Sequence, residues 1–291
     1  MDSYLSVTGG DVIVDVQYNI IGESMSKGTI LVIQAHPDDA DVNIGGTIAK
    51  WADEGYDVYY LIVTDGSKGT YNPDMDPKEL ARIRQEEEKK AAKVLGVKEV
   101  FFLGYPDGEL ILPSLELREK LIRVIRKLQA DFVCTLDPWI DYNAHPDHRT
   151  VGIVASEATV FAGMPAFNRE HLKEGLKPKQ VMKIYYFATD RPNLLVDVTE
   201  YIDKKLEAIL QHKSQIEMFG ALAKASGRAK QLGLSGSDYE VGEALIMRNF
   251  NELKERIKKG ERIYEELREL GVGAGHLAER GFRIFPRPRL I

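Results

Sequence analysis

The chain has a single cysteine among its 291 residues. One thiol, Cys134, excludes an internal disulfide and fits a reducing cytoplasm. It lies in the apolar run Phe132-Val133-Cys134, where a buried, inert thiol is expected rather than a nucleophile. Long hydrophobic runs are missing as well. None reaches the roughly 18 residues that a membrane span needs, and the N-terminus lacks the basic-then-apolar order of a signal peptide. There is no excess of positive charge: 39 Lys and Arg against 45 Asp and Glu give a net charge of -6. A general nucleic-acid binder would normally present a basic face. Phosphate-cradling loops are absent too. The chain has no GxGxxG and no GxxxxGK[ST], and Gly45-Gly46 is only a pair, so a nucleotide cofactor has little support. No internal repeat and no low-complexity linker interrupts it.

What the chain does have is apolar content, 44% of its residues, enough for a sizeable core. Charged residues make up 29%, rich in Lys and Glu, a composition that leans towards a heat-adapted source. After weak strand candidates at Val12–Val14 and Tyr18–Ile21, the pattern becomes regular. Thr29–Ala35, Asp57–Thr64, Glu99–Leu103 and Asp131–Leu136 read as strands. Between and after them Asp38–Glu54, Asp76–Leu95, Leu115–Gln129 and Val151–Phe161 read as helices, with Gly55 and Gly96 as stops. Met182–Ala188 and Leu194–Val198 are late strands, followed by a helix over about 199–215. Such alternation predicts a mostly parallel sheet with helices on both faces. A charged helix within Glu243–Leu270, read most simply as a solvated amphipathic helix, and an edge strand in "RIFPRP" complete the expectation.

In open parallel sheets, ligands sit at the carboxyl ends of the strands. Three polar clusters fall there: His36-Pro37-Asp38-Asp39, Thr64-Asp65-Gly66 and Asp137–His148 (DPWIDYNAHPDH), with Asp107-Gly108 a short turn after the third strand. Pro37 suits the first position of a helix, so the chain is expected to turn at His36 and let His36 and Asp39 grip one ion. Asp38, between them, is then free to act as a base. His145-Pro146-Asp147-His148 repeats the pattern. Either motif alone reads as readily as a turn with an Asp cap, but both together at strand ends point to a site. Two imidazoles and a carboxylate with an open position describe a catalytic zinc.

These motifs resemble the PIG-L/LmbE-type zinc deacetylases, which act on N-acetylglucosamine units. The resemblance is carried by "AHPDDADVNIGGTIAK" (Ala35–Lys50) and "HPDHR" (His145–Arg149). It is supported by "TDGSKGT", "RQEEEKKAAKVLGV", "FLGYPDGEL", "VDVTEYIDKKLEAILQHKSQ" and, near the end, "HLAERGF" (His276–Phe282). It implies one Rossmann-like α/β domain over residues 1–291, with 216–291 as a helical C-terminal extension. It also implies one Zn²⁺ per chain, held by His36, Asp39 and His148. Asp38 would be the general base. His145 would steady the oxyanion or assist the leaving amine, with Asp147 tuning it. Arg84 and Asp107 would hold sugar hydroxyls. His276 could close the site, and Trp139 and Tyr142 could stack on a sugar face. His171 and His212 read as structural or surface residues. Where many members have HPDDE, this chain has HPDDAD, which leaves open what Asp41 does. Diacetylchitobiose deacetylases and bacillithiol-pathway deacetylases are the subgroups most resembled, and the implied partners are a small sugar and copies of the same chain, in a trimer or hexamer. The apolar stretch "ATVFAGMPAF" is a candidate contact. Two rival readings are a metal phosphoesterase, which would want more carboxylates and a second metal, and a sugar- or metal-binding protein without activity.

Overall fold

The computed structural model describes residues 26–259, apart from 193 and 195, together with the backbone of 283–286. Strand β1 (Thr29–Gln34) is the apolar run TILVIQ, and every residue after Thr29 is buried. A central parallel strand needs such a run, because helices cover both of its faces. β2 (Asp57–Thr64), β3 (Glu99–Tyr105), β4 (Phe132–Leu136) and β5 (Lys183–Phe187) extend the parallel sheet. β6 (Arg283–Pro286) pairs antiparallel with β5 at the edge. The strand order is β3-β2-β1-β4-β5-β6. The chain therefore builds outward from β1 on one side and resumes beside it at β4 on the other. A ligand crevice forms outside the carboxyl ends of the strands at such a reversal.

Helices α1 (Asp39–Asp53), α2 (Pro77–Leu95), α3 (Leu115–Leu128) and α4 (Pro146–Phe161) follow the first four strands. Their ends are locally encoded. The Asp76 carboxylate accepts from the N–H groups of Lys78 and Glu79, Pro77 opens α2, and Gly96 closes it at φ 84°. Ser114 caps α3. α4 begins at Pro146, earlier than the apolar pattern from Val151 indicates, because a proline at the first helical position leaves no N–H unpaired. Gly152 lets α4 lie close to Leu136 O and Pro138 at the end of β4, where a Cβ would collide. A short helix, α5 (Arg169–Lys173), precedes β5.

Three expectations fail in the C-terminal part. Leu194–Val198 is not a strand: only Leu194 makes an isolated bridge, while Val196 and Val198 pack into apolar clusters. The helix over 199–215 is broken into a 3-10 turn (Thr199–Tyr201), α6 (Ile202–Ile209) and α7 (Lys213–Ala225). The break falls at His212, whose buried ring turns inward to Asp41. After α8 (Arg228–Gln231), the charged helix starts earlier than expected, as α9 (Asp238–Lys258). α9 packs on α7, and Gly220 and Gly242 leave no room for a Cβ against Asp238 O and Ile216 O. The strand candidates before residue 26, the end of the charged helix and His276 lie outside the described residues. The stretch 158–167 is largely engaged within the chain, with Phe161 stacked on Phe167 and Arg118 over Phe161.

Candidate active site

Two turns meet at the crevice, one after β1 and one before α4. In the first, α1 starts only at Asp39, because Asp38 takes a left-handed conformation, φ 105° and ψ -24°. The turn expected at His36 is thus completed by Asp38 rather than by Pro37. Asp39 folds back, so that its Oδ2 accepts from the N–H groups of Ala35 (3.1 Å) and His36 (2.8 Å). In the second turn Pro146 opens the helix, so Asp147 and His148 stand in its first turn.

The imidazoles and one carboxylate converge. His36 Nδ1 lies 3.1 Å from His148 Nε2 and 3.5 Å from Asp39 Oδ2, and His148 Nε2 lies 3.2 Å from Asp39 Oδ1. Donors on a tetrahedral zinc, with bonds of about 2.0–2.1 Å, stand roughly 3.3 Å apart. The trio therefore has the spacing of one face of a metal's coordination shell, and these residues fit a divalent ion. His145 completes the group, with its ring stacked on His148 at 4.4 Å and edge-on to His36 at 4.6 Å.

The other face of His36 is ringed by acids. Its Nε2 lies 2.9 Å from Asp147 Oδ2 and 3.2 Å from Asp107 Oδ1. Asp147 is itself fixed, accepting from Gly108 N–H (2.7 Å) and Leu110 N–H (2.9 Å). So Asp147 hydrogen-bonds His36, and acts on His145 through its charge. A carboxylate behind a ligating imidazole sets its tautomer and raises its basicity.

Burial works to lower the His36 pKa, but the carboxylates of Asp39, Asp107 and Asp147 outweigh it and hold the ring well above its ordinary value. Burial pushes the Asp39 carboxyl up, yet His148 and His36 bring it well below the usual carboxylate range. Asp107 falls to about 2: burial opposes the change, and the bond to His36 drives it. The site thus favours positive charge at His36 and negative charge at Asp39 and Asp107 beside it. Asp38 differs. Burial raises it, and the nearby Arg84 offsets that only in part. His145 goes down, through burial and through the neighbouring His148 and His36.

Arg84 and Asp107 are both buried in the wall of the site. Arg84 is 3% exposed; its guanidinium donates to Pro37 O (2.6 Å) and Gly66 O (2.9 Å) and stands 3.3 Å from Asp38 Oδ2. Gly66, at φ +64°, passes so close to it that a Cβ would lie 2.8 Å from Arg84 Nη1. Asp107 is spent on His36 and on Lys68 N–H. Both side chains thus form part of the site wall. Trp139 is half exposed and rests edge-on against Tyr186, while Tyr142 is fully exposed at φ 61°.

Beneath the turn lies a buried polar layer that reading the motifs does not reveal. Glu88 Oε2 accepts from Asp38 N–H (2.8 Å) and Glu88 Oε1 from Gln34 Nε2 (2.8 Å), while Gln34 Oε1 accepts from Ala40 N–H (2.6 Å). Asp41 accepts from Tyr60 OH (2.8 Å) and lies 2.8 Å from His212 Nε2, which settles its place as a support below the site. The available signal was spacing: Glu88 follows Arg84 by four residues, so both emerge from the same face of α2.

A carboxylate and two imidazoles at the switch point of a parallel sheet, with a further acid beside them, define a metal-centred hydrolytic site on a doubly wound fold. Residues 31–159 match the family model for PIG-L, described as GlcNAc-PI de-N-acetylase. The chain is 44% identical, over 64% of its length and 69% of the relative's, to a protein of Thermococcus kodakarensis named diacetylchitobiose deacetylase. It is 30% identical, over 64% of its length and 80% of the relative's, to a Bacillus anthracis protein named "Probable N-acetyl-alpha-D-glucosaminyl L-malate deacetylase 2". The structure of N,N'-diacetylchitobiose deacetylase from Pyrococcus horikoshii superposes with a TM-score of 0.67 at 34% identity, covering 89% of this chain and 84% of that one. The chain belongs to the PIG-L family of deacetylases. No helix among the described residues is long and apolar enough to cross a membrane.

Proposed function

We propose that this chain is a zinc-dependent N-deacetylase of small N-acetylglucosaminyl sugars, with N,N'-diacetylchitobiose as its preferred class of substrate. The observation that carries the reading is the trio His36, Asp39 and His148 at ligand spacing, with Asp38 next in the chain and held apart from the trio by its own turn. The 44% identity to a diacetylchitobiose deacetylase supports the substrate class.

A divalent ion held by the trio would supply Lewis-acid polarisation of the acetamide carbonyl and of a water molecule. Asp38 takes the proton from the attacking water as its oxygen bonds to the carbonyl carbon. Its raised pKa makes it a stronger base than an exposed carboxylate. His145 faces the same space and donates to the oxygen that gains charge or to the departing nitrogen. The C–N bond then breaks as the nitrogen takes up the proton that Asp38 removed, giving acetic acid, which ionises to acetate, and a free amino sugar. Asp147 and Asp107 orient the His36 ring. Trp139 offers an apolar face at the rim, and His276 remains a candidate for closing the site.

The same reading takes the chain as one cytoplasmic deacetylase domain with a C-terminal extension, working as a trimer or hexamer; light scattering tests the assembly state. The activity is tested by acetate release from metal-stripped protein, with and without added zinc. The substrates are N-acetylglucosamine, N,N'-diacetylchitobiose and an N-acetylglucosaminyl malate. Zinc-dependent release, highest on the disaccharide, is expected. Release highest on the malate glycoside would shift the substrate class. No release from any of them, with zinc bound, would sink the reading.

A further inference from the structure

We infer that Glu88 is a positioning residue for Asp38, holding the backbone of the base in its left-handed conformation through a buried ring of hydrogen bonds shared with Gln34. The inference rests on the deacetylase reading for its kinetic readout, but not for its structural one.

A non-glycine residue at φ 105° is strained and persists only where its surroundings over-determine it. Here the surroundings are identifiable. Asp38 N–H donates to Glu88, Asp38 O accepts from Val42 N–H (3.0 Å), and the preceding carbonyl, Pro37 O, accepts from Arg84. Two of these three contacts come from one face of α2, through Arg84 and Glu88. Glu88 is fully buried and touches neither the ligand trio nor the crevice through any of its hydrogen bonds; both of its oxygens are used on the turn and on Gln34.

The chemistry of the ring makes Glu88 hard to replace even by its amide. Ala40 N–H needs the oxygen of Gln34, which turns the Gln34 NH₂ towards residue 88. Asp38 N–H needs an oxygen from residue 88 as well. Residue 88 must therefore accept twice, as a carboxylate does and an amide cannot. In Glu88→Gln, an NH₂ faces another donor, either at Asp38 or at Gln34. If Gln34 flips to relieve the clash, it moves the conflict to Ala40. The exchange Gln34→Glu with Glu88→Gln removes the conflict. The carboxylate then at position 34 accepts from Ala40 N–H and from the amide at position 88, whose oxygen accepts from Asp38 N–H. The net charge is unchanged.

The test compares wild type, E88Q and the Q34E/E88Q exchange. Its readouts are kcat and KM for acetate release, zinc affinity by competition titration, and the backbone of residue 38 in crystals of the metal-free proteins. Displacing a reacting group by about 1 Å can cost about 10²-fold in rate. E88Q is expected to lose about that factor in kcat, with KM and zinc affinity within about twofold of wild type, and residue 38 is expected to leave its left-handed conformation. The exchange is expected to restore both. An unchanged kcat and backbone in E88Q overturns the inference, as does an exchange that stays as impaired as E88Q. If E88Q does not fold, the exchange decides alone: wild-type kcat supports the ring, and a folded but inactive protein overturns it. Wild-type protein inactive on every sugar would count against the functional reading, and the backbone comparison would then decide this one.

Discussion

The two HPD turns share three residues in sequence and almost nothing in construction. Asp38 and Asp147 occupy the same place in His36-Pro37-Asp38-Asp39 and His145-Pro146-Asp147-His148. Asp38 stands outside its helix at φ 105°, and its N–H is held by Glu88 from 50 residues away. Asp147 lies in the first turn of α4, and its side chain reaches back to His36. The second turn is fastened locally: His145 N–H donates to Asn143 Oδ1 (3.3 Å), and Arg149 bonds Asn143 O. The first histidine of one motif belongs to the trio at ligand spacing, whereas that of the other stacks beside it. The same letters thus give a strained turn whose Asp38 N–H is held from α2, and a helical one whose backbone is fastened by Asn143 close by while its Asp147 side chain reaches Gly108, Leu110 and His36. The strained turn is the one that carries Asp38, the proposed base.

The sharpest way to break this comparison is to make the same substitution at both aspartates. Asp38→Asn should lower kcat by about 10²–10⁴-fold, the usual worth of a general base, with zinc still bound. Asp147→Asn should act through the metal instead. Loss of a carboxylate behind a ligating histidine costs about 10–100-fold in metal affinity, so activity at saturating zinc should be affected less than at limiting zinc. Acetate release across a zinc titration separates the two. A zinc affinity that falls equally in both variants would show that the turns do not divide the labour in this way.

The sequence made the helical turn legible and the strained one only half so. The parallel core could be read because TILVIQ and DVYYLIVT are continuous apolar runs, and the helix caps because Asp76, Ser114 and Pro146 signal locally. The histidine motifs could be read because their spacing is local too. Contacts between distant residues could not. Asp41 meets His212 across 171 positions and His36 meets Asp147 across 111, and neither leaves a pattern in one sequence. For the same reason the break at His212 was hidden: no proline or glycine marks it, and the pull of a buried carboxylate decides it. Gly242 sits inside α9, where a Cβ would collide with Ile216 O.

The smallest effect is also the cleanest discriminator, because the side-chain chemistry cancels. Asp38→Gly and Asp38→Ala both lose the carboxylate beside Arg84, and Asp147→Gly and Asp147→Ala both leave Gly108 and Leu110 N–H without an acceptor. Within each pair only the backbone preference differs. At position 38 the left-handed φ strains alanine and not glycine, so Gly should be the more stable by about 1 kcal/mol. At position 147 the residue is helical, so Ala should be the more stable by roughly 0.5–1 kcal/mol. Urea unfolding of the four variants should therefore rank Gly above Ala at one turn and below it at the other. The same ranking at both positions would mean that Asp38 is not held under strain, and the contrast between the two turns would rest on side chains alone.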